Sequence, residues 1–320
     1  MSKVVVISGH PELEKSNANK IILEALANSE LDVDIRRLDE LYPDYKIDVE
    51  AEQAALLKAE LVVLQFPFFW YSVPALLKKW LDDTFTYDFA YGSKGDKLKG
   101  KGLVLSLTVG GPEEAYKPLG YNHFRMEELL KPLEQTAYLA EMEYHQPIYS
   151  HSMVYIPNVY NTKEAVEQRA KEHSEQLIQS LSAKLGSPEL KMKKFVNEWF
   201  GQFDLLPESD AYFLSYLAED IVFKMPEGDF SGHAGFRDWY QIARRTFKPN
   251  CQHVVEQMEI SVDGDYAELQ LRIRLKADTY EGSSFKGDSV NLLVNETWKV
   301  EMDQEGGFII QEYIVSPVDG

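Results

Sequence analysis

The sequence predicts an α/β fold first, a doubly wound five-stranded parallel sheet, and an α+β cone after it. Three observations predict this order. Short apolar runs alternate with helical patterns up to Leu185, the sequence form of repeated strand–helix units. Gly186-Ser187-Pro188 then breaks the pattern, since glycine can take a left-handed cap and proline cannot continue helical bonding. Beyond the break, helices come first and alternating strands follow.

In the first part the expected strands are Val4 to Ile7, Val33 to Arg36, Leu61 to Gln65, Leu103 to Thr108 and Met142 to Ile148. The expected helices between them are Ala18 to Ala27, Ala51 to Ala59, Pro74 to Phe85 and Met126 to Ala140. A long helix from Lys163 closes the set, with Val166, Ala170, Leu177, Leu181 and Leu185 on one apolar stripe. The domains are drawn as 1–186 and 190–320. In the second, helices are expected at Met192 to Phe203, Asp210 to Leu217 and Gly235 to Thr246, with a strand at Ile221 to Met225. Ala267, Leu269, Leu271, Ile273 and Leu275 alternate with polar residues, a half-buried antiparallel strand. Asp263-Gly264 joins it to Ile260 to Val262, and Gly306-Gly307 is a second tight turn between Thr297 to Met302 and Phe308 to Val315.

Composition narrows the classes. The chain has 320 residues, 44% hydrophobic and 27% charged, as a globular protein with two cores would. Its longest apolar runs, such as Leu61 to Leu64, are too short to span a bilayer, and the start lacks an export signal, so a cytoplasmic location is expected. Cys251 is the one cysteine, which excludes a disulfide framework and a cysteine-rich zinc site, and no other metal-ligand spacing is found. Net charge is −19, about −8 up to Gly186 and about −11 beyond it, so neither part offers nucleic acid a basic surface. An anionic cofactor must then be held by local donors such as a helix amino terminus.

Three segments at expected strand ends carry the chemistry. Ser8-Gly9-His10-Pro11 leads to Ser16-Asn17-Ala18-Asn19 at a helix start, a position for phosphate, where amides, Ser16, Asn19 and His10 could donate. An ordinary loop with Ser16 as N-cap is the alternative. Gln65-Phe66-Pro67-Phe68-Phe69-Trp70-Tyr71-Ser72-Val73-Pro74-Ala75 crowds aromatic rings where open sheets bind ligands, and can border a planar cofactor, or else build core or a subunit interface. Thr108-Val109-Gly110-Gly111-Pro112, reaching Tyr116, either offers amides to the polar edge of a ring or simply turns. Tyr116 or His123 could stabilise charge developing there.

With Leu77-Lys78-Lys79-Trp80 and Phe89-Ala90-Tyr91, these residues make the first part resemble the flavodoxin-like NAD(P)H quinone oxidoreductases, including ancillary reductase subunits of bacterial potassium-efflux systems. The resemblance covers about residues 3–185 and implies a homodimer with flavin at the subunit interface. It implies His10, Ser16, Ala18 and Asn19 at the phosphate end. Pro67, Phe68, Phe69, Trp70 and Tyr71 would lie at the isoalloxazine, with Thr108, Val109, Gly110 and Gly111 along its polar edge. FMN is the implied cofactor, with FAD the alternative, and NAD(P)H the reductant. Val109 stands where the family commonly has threonine, which removes a hydroxyl and leaves a backbone amide for binding. Tyr116 and His123 are the catalytic candidates. The implied activity is two-electron, ping-pong transfer through the flavin to a quinone or related electrophile. A flavin-binding regulatory subunit of a transporter is the alternative.

From Lys191 to Pro317 the sequence resembles SnoaL-like domains of the nuclear-transport-factor-2 fold. The carriers are Phe230 to Tyr240, Asn295-Glu296-Thr297-Trp298 and Gln311-Glu312-Tyr313. Candidate pocket residues are His233, Arg237, Tyr240, His253 and Glu312, which can equally satisfy local structure. Trp199, Trp239 and Trp298 are expected in the core. Folds of this kind host ligand binders, dimer modules and small-molecule isomerases, so no reaction is assigned here.

Overall fold

All five residues of the first strand, β1 (Val4–Ser8), are buried, as a central parallel strand covered on both faces requires. In the computed structural model, which describes residues 4–302 and 307–318, the chain divides into two compact units, Met1–Leu185 and Gly186–Gly320.

In the first unit β1 is followed by α1 (Asn19–Ala27), β2 (Val33–Arg37), α2 (Leu38–Leu41), α3 (Val49–Lys58), β3 (Leu61–Pro67), α4 (Ala75–Thr84) and β4 (Gly102–Thr108). Then come α5 (Met126–Leu129), α6 (Lys131–Leu139), β5 (Glu143–Tyr144), β6 (Ile148–Ser150) and α7 (Lys163–Leu185). The sheet is parallel, in the order β2-β1-β3-β4-β5, with β6 also on β4. Period-two alternation makes the layers. Val4 and Val6 pack with α1 and α7 through Ile22, Leu26, Val166 and Leu177, while Val5 and Ile7 pack with α3 and α4 through Leu56, Leu77 and Trp80.

Two expected elements are divided, each at a proline. The last strand is two pieces because Pro147 has no N–H for the ladder. The helix expected over 126–140 breaks at Leu130, where Pro132 cannot bond back.

The second unit contains α8 (Pro188–Leu205), α9 (Ala211–Leu214), β7 (Leu217–Met225), β8 (Gly228–Ser231), α10 (Gly232–Thr246), β9 (Gln252–Asp263), β10 (Tyr266–Asp278), β11 (Ser289–Met302) and β12 (Phe308–Pro317). Ser187 caps α8, accepting from the Leu190 amide at 3.2 Å, so the residues that stop α7 also start the next helix. The sheet order is β8-β7-β12-β11-β10-β9, antiparallel except for β12 with β7. Bulges at Arg272/Ile273 and Lys299/Val300 bend it around a core that includes Trp199, Phe213, Tyr240 and Trp298. The expected Asp263-Gly264 turn is formed, with Gly264 at φ 59°. Of Gly306-Gly307, Gly306 lies outside the described residues. Among the described residues no helix is long and apolar enough to cross a membrane.

Candidate active site

The carboxyl ends of β1, β3 and β4, which are neighbours in the sheet, present the three singled-out segments together. After β1, Gly9 donates to the Gln65 carbonyl at 2.8 Å. A Cβ on Gly9 would stand 2.7 Å from the Leu77 side chain, so this close passage needs glycine. His10 is half-buried, accepts from the Glu12 amide at 3.1 Å, and has its pKa lowered chiefly by burial. Ser16 Oγ accepts from the amides of Ala18 (3.4 Å) and Asn19 (2.9 Å), and from Asn19 Nδ2 (3.2 Å). With its acceptor capacity engaged, the Ser16 hydroxyl proton is left to donate.

Asn19 is not the free donor expected from the sequence. It is buried, and its Nδ2 bonds Thr108 Oγ1 at 3.0 Å as well as Ser16, while its Oδ1 accepts from Gln65 Nε2 at 2.8 Å. Gln65 Oε1 accepts from Ser106 Oγ, which pairs with His173 Nε2 at 2.8 Å; His173 Nδ1 meets Ser150 Oγ at 2.9 Å. One direction runs through this chain. Because Ser106 gives its proton to Gln65, it accepts from His173 Nε2–H, and Ser150 donates to Nδ1. His173 is almost wholly buried, and burial alone pushes its pKa down to about 4. The chain ties three strand ends to α1 and α7.

After β3 the aromatic run divides. Pro67 and Phe68 are buried, and the Phe68 amide donates to the Thr108 carbonyl at 2.9 Å. Phe69, Trp70 and Tyr71 are exposed, Trp70 to 92%. Trp70 (φ 49°) and Tyr71 (φ 63°) are successive left-handed residues, closed by the Ser72 amide on the Phe69 carbonyl at 3.0 Å. That is the frame of a type I′ turn, which favours Asn-Gly; large aromatic residues there cost about 1–2 kcal/mol each. Strain of this kind concentrates at functional sites. A cavity of about 390 Å³ adjoins the run, lined by Phe68, Tyr71, Leu81, Tyr91, Leu129 and Leu133.

After β4 the amide of Val109 donates to the Ser150 carbonyl at 2.8 Å, so it is not available to a ligand as the sequence suggested. The amides of Gly110 and Gly111 have no partner among the described residues. A Cβ on Gly111 would sit 3.2 Å from Tyr116 Cε2, so glycine lets that ring lie on the backbone. Tyr116 is half-buried, which raises its pKa. The histidine on its face is His151, at 5.1 Å between centroids, with an Nδ1 that is buried and unpartnered; His123 is exposed in the loop at φ 63°. Burial lowers the His151 pKa. Sequence reading missed His151, whose signal was a histidine just after the β4-paired strand.

In the second unit, His253 is the one of the five candidates that lines the cavity between Phe200, Trp239 and Tyr313 among the described residues. His233 Nε2 bonds the Leu217 carbonyl (2.9 Å), Tyr240 donates to the Pro207 carbonyl (2.8 Å), and Arg237 pairs with Asp210 (3.2 Å). Glu312 pairs with Lys299 at 2.7 Å, because the bulge at Gln311 turns Tyr313 inward instead. Trp199 and Trp298 are fully buried in the core; Trp239 is 9% exposed and lines the cavity.

The sequence profile of a family with a flavodoxin-like fold matches residues 2–178, and that of the SnoaL-like domain matches residues 203–301. Over 142 residues the chain is 46% identical to the uncharacterized NAD(P)H oxidoreductase YdeQ of Bacillus subtilis (strain 168), covering 44% of this chain and 72% of that one. Over 148 residues it is 43% identical to the glutathione-regulated potassium-efflux system ancillary protein KefF of Klebsiella aerogenes, covering 46% of this chain and 82% of that one. The crystal structure of general stress protein 14 from Treponema denticola, in complex with FMN, superposes with a TM-score of 0.52 at 33% identity, covering 57% of this chain and 98% of that one.

Proposed function

The chain belongs to the flavodoxin-like fold family, with a SnoaL-like domain appended, and on that premise we propose that it is an FMN-dependent NAD(P)H oxidoreductase whose acceptor is a quinone or related planar electrophile. One observation carries the reading. Three loops meet at adjacent strand ends, one with the Ser16 hydroxyl left to donate and another with the Gly110 and Gly111 amides unpartnered among the described residues. This donor set fits a cofactor with a phosphate at one end and a polar ring edge at the other. The FMN named for the Treponema relative and the NAD(P)H oxidoreductase activity named for YdeQ support the choice.

Bound FMN would supply the two-electron chemistry, taking hydride from a reduced nicotinamide and yielding it to the acceptor. The chain's own groups bind and orient. Ser16, His10 and the start of α1 hold the phosphate, with Ala18 packed beneath and Asn19 positioning Ser16 rather than touching the ligand. Thr108, Gly110 and Gly111 meet the ring's polar edge, and Val109 packs behind it. Pro67 and Phe68 make the floor; Phe69, Trp70 and Tyr71 shield and align planar reactants. Tyr116, kept protonated by its burial, donates a hydrogen bond where negative charge gathers, with His151 beside it for proton exchange. His123 is left as a loop residue.

The exposed aromatic run supports a homodimer as part of the same reading. Trp70, Tyr71, Leu119, Tyr121 and Phe124 are exposed together in two loops joined by a 3.0 Å bond from the Tyr71 hydroxyl to Asn122. A second copy would cover this apolar surface. Light scattering should then report twice the chain mass. NADH or NADPH should be oxidised with a naphthoquinone acceptor, initial rates giving parallel lines as the two substrates are varied. Protein that holds FMN yet oxidises neither would refute the reductase. The KefF similarity favours one second reading, a regulatory subunit of a transporter, for which slow turnover with stable co-purification of a membrane partner is the expected result.

A further inference from the structure

Two rows of residues lie across β1, β3 and β4 on the side of the sheet that faces α1 and α7. Val6, Val63 and Val104 form the first, wholly buried and apolar. The next row, toward the cofactor loops, is Ser8, Gln65 and Ser106, equally buried and entirely polar. Aliphatic residues would fill that row without the desolvation that buried amides and hydroxyls incur, so packing alone does not account for it.

A side-chain amide has one end that only donates and one that only accepts, so it passes a polarity on to the next group. Gln65 Oε1 takes the Ser106 proton, which turns its Nε2 toward Asn19 Oδ1 at 2.8 Å. That leaves Asn19 Nδ2 between Ser16 Oγ (3.2 Å) and Thr108 Oγ1 (3.0 Å). Both hydroxyls face an N–H, and their own protons point elsewhere. With both amides turned over the same contacts remain, but Asn19 Oδ1 draws both protons in. The two arrangements also differ at the far end. Outward protons require His173 to donate from Nε2 to Ser106; inward protons require Nε2 to accept, with the ring proton on Nδ1 toward Ser150.

We propose that Gln65 is a positioning residue which, acting through Asn19, aims two hydroxyls at the cofactor together, Ser16 at the phosphate and Thr108 at the polar edge of the ring. This rests on the reading of the site as an FMN site. An anion rich in acceptors selects the outward arrangement, with His173 as the Nε2–H tautomer. Because one amide serves both ends of the ligand, reversing it removes two donors at once. Ser106 and His173 complete the relay and touch no ligand.

Affinities for FMN and riboflavin, read from flavin fluorescence with the full-length protein, test this. In wild type, Ser16→Ala should weaken FMN about tenfold and riboflavin less than about twofold, since a bond to a charged group is lost. Thr108→Val should weaken riboflavin about fivefold. Gln65→Glu places an acceptor at both ends of the side chain, so Asn19 turns its nitrogen toward it and both hydroxyl protons go inward. In that background Ser16→Ala should cost FMN, and Thr108→Val should cost riboflavin, less than about twofold each. A carboxylate that merely repelled the phosphate would leave the Ser16→Ala loss as large as in wild type, and that result overturns the proposal. Nitrogen NMR of labelled histidine in the FMN-bound wild type serves even where Gln65→Glu does not fold, the His173 signal being the one absent from His173→Gln. It should show the Nε2–H tautomer, and Nδ1–H would overturn the relay. Wild type that takes up neither FMN nor FAD defeats the cofactor reading and the proposal with it, whereas bound FMN with either contrary result defeats the relay alone.

Discussion

Glu52 in the first unit and Glu296 in the second are both lost to solvent, at 0% and 5% exposure, yet their surroundings are opposite. Glu52 Oε1 takes two bonds from Arg36, at 2.8 and 2.6 Å, and one from the Tyr42 hydroxyl at 2.6 Å; Oε2 takes the Trp80 indole at 2.8 Å. A guanidinium and two neutral donors leave that carboxylate nothing to do but hold α3 against β2 and α4. The bond to Glu52 in turn raises the Arg36 pKa, and burial with the same carboxylate pushes Tyr42 up to about 12. Glu296 has neutral donors, no cation on its cavity wall, and a cavity in front of it. The contrast teaches how the two units differ. In the first, this buried carboxylate is saturated and the candidate chemistry sits in strained, exposed loops; in the second, a buried carboxylate with neutral partners faces a cavity.

Substitutions can break that contrast. Glu52→Gln should cost the first unit about 3 kcal/mol or more, because Arg36 loses its buried counter-charge, read as a fall in the denaturation midpoint; a loss below about 1 kcal/mol would mean the network is ornamental. Acid should act through His173. Its folded pKa of about 4 lies below the unfolded value near 6.5, so the unfolded chain binds more protons in between. Stability from this group is complete above pH 6.5 and lost as pH falls toward 4, about 2–3 kcal/mol by pH 4.5. His173→Gln should flatten that part of the pH–stability curve, and an unaltered curve would assign the acid sensitivity elsewhere.

Smaller and opposite in sign is the loop effect. Replacing Trp70-Tyr71 by Asn-Gly should stabilise the first unit by about 1–2 kcal/mol, since the turn suits those residues, while NAD(P)H oxidation falls at least tenfold. Equal activity would show that the aromatic turn serves packing only. Smallest is Glu296→Gln, expected within about 1 kcal/mol of wild type because an amide keeps the shape and can still accept from Trp298. A loss as large as that of Glu52→Gln would make the two glutamates alike.

The three loops could be read from sequence because each is local: glycines, a helix start and clustered aromatics lie within a dozen residues at a strand end. What those loops lose inside the protein was not local. The Val109 amide is taken by Ser150, and Asn19 is taken by Gln65 and Thr108, partners fixed only by strand order. Likewise Tyr116 meets His151 because β6 runs beside β4. In the cone, Glu296 was legible only as part of a family motif, and the bulge at Gln311 turned the pocket candidate Glu312 outward and Tyr313 inward. Asp204 and His253 are 49 residues apart and meet only in the folded unit.

The central claim is that the loops at β1, β3 and β4 hold FMN, and the most direct measurement is the absorbance spectrum of the purified protein with mass identification of whatever flavin denaturation releases. The expected result is a yellow protein, FMN released near one per chain, and stripped protein that retakes FMN far more tightly than riboflavin, a preference weakened in Ser16→Ala. A colourless protein that neither FMN nor FAD reconstitutes would contradict it.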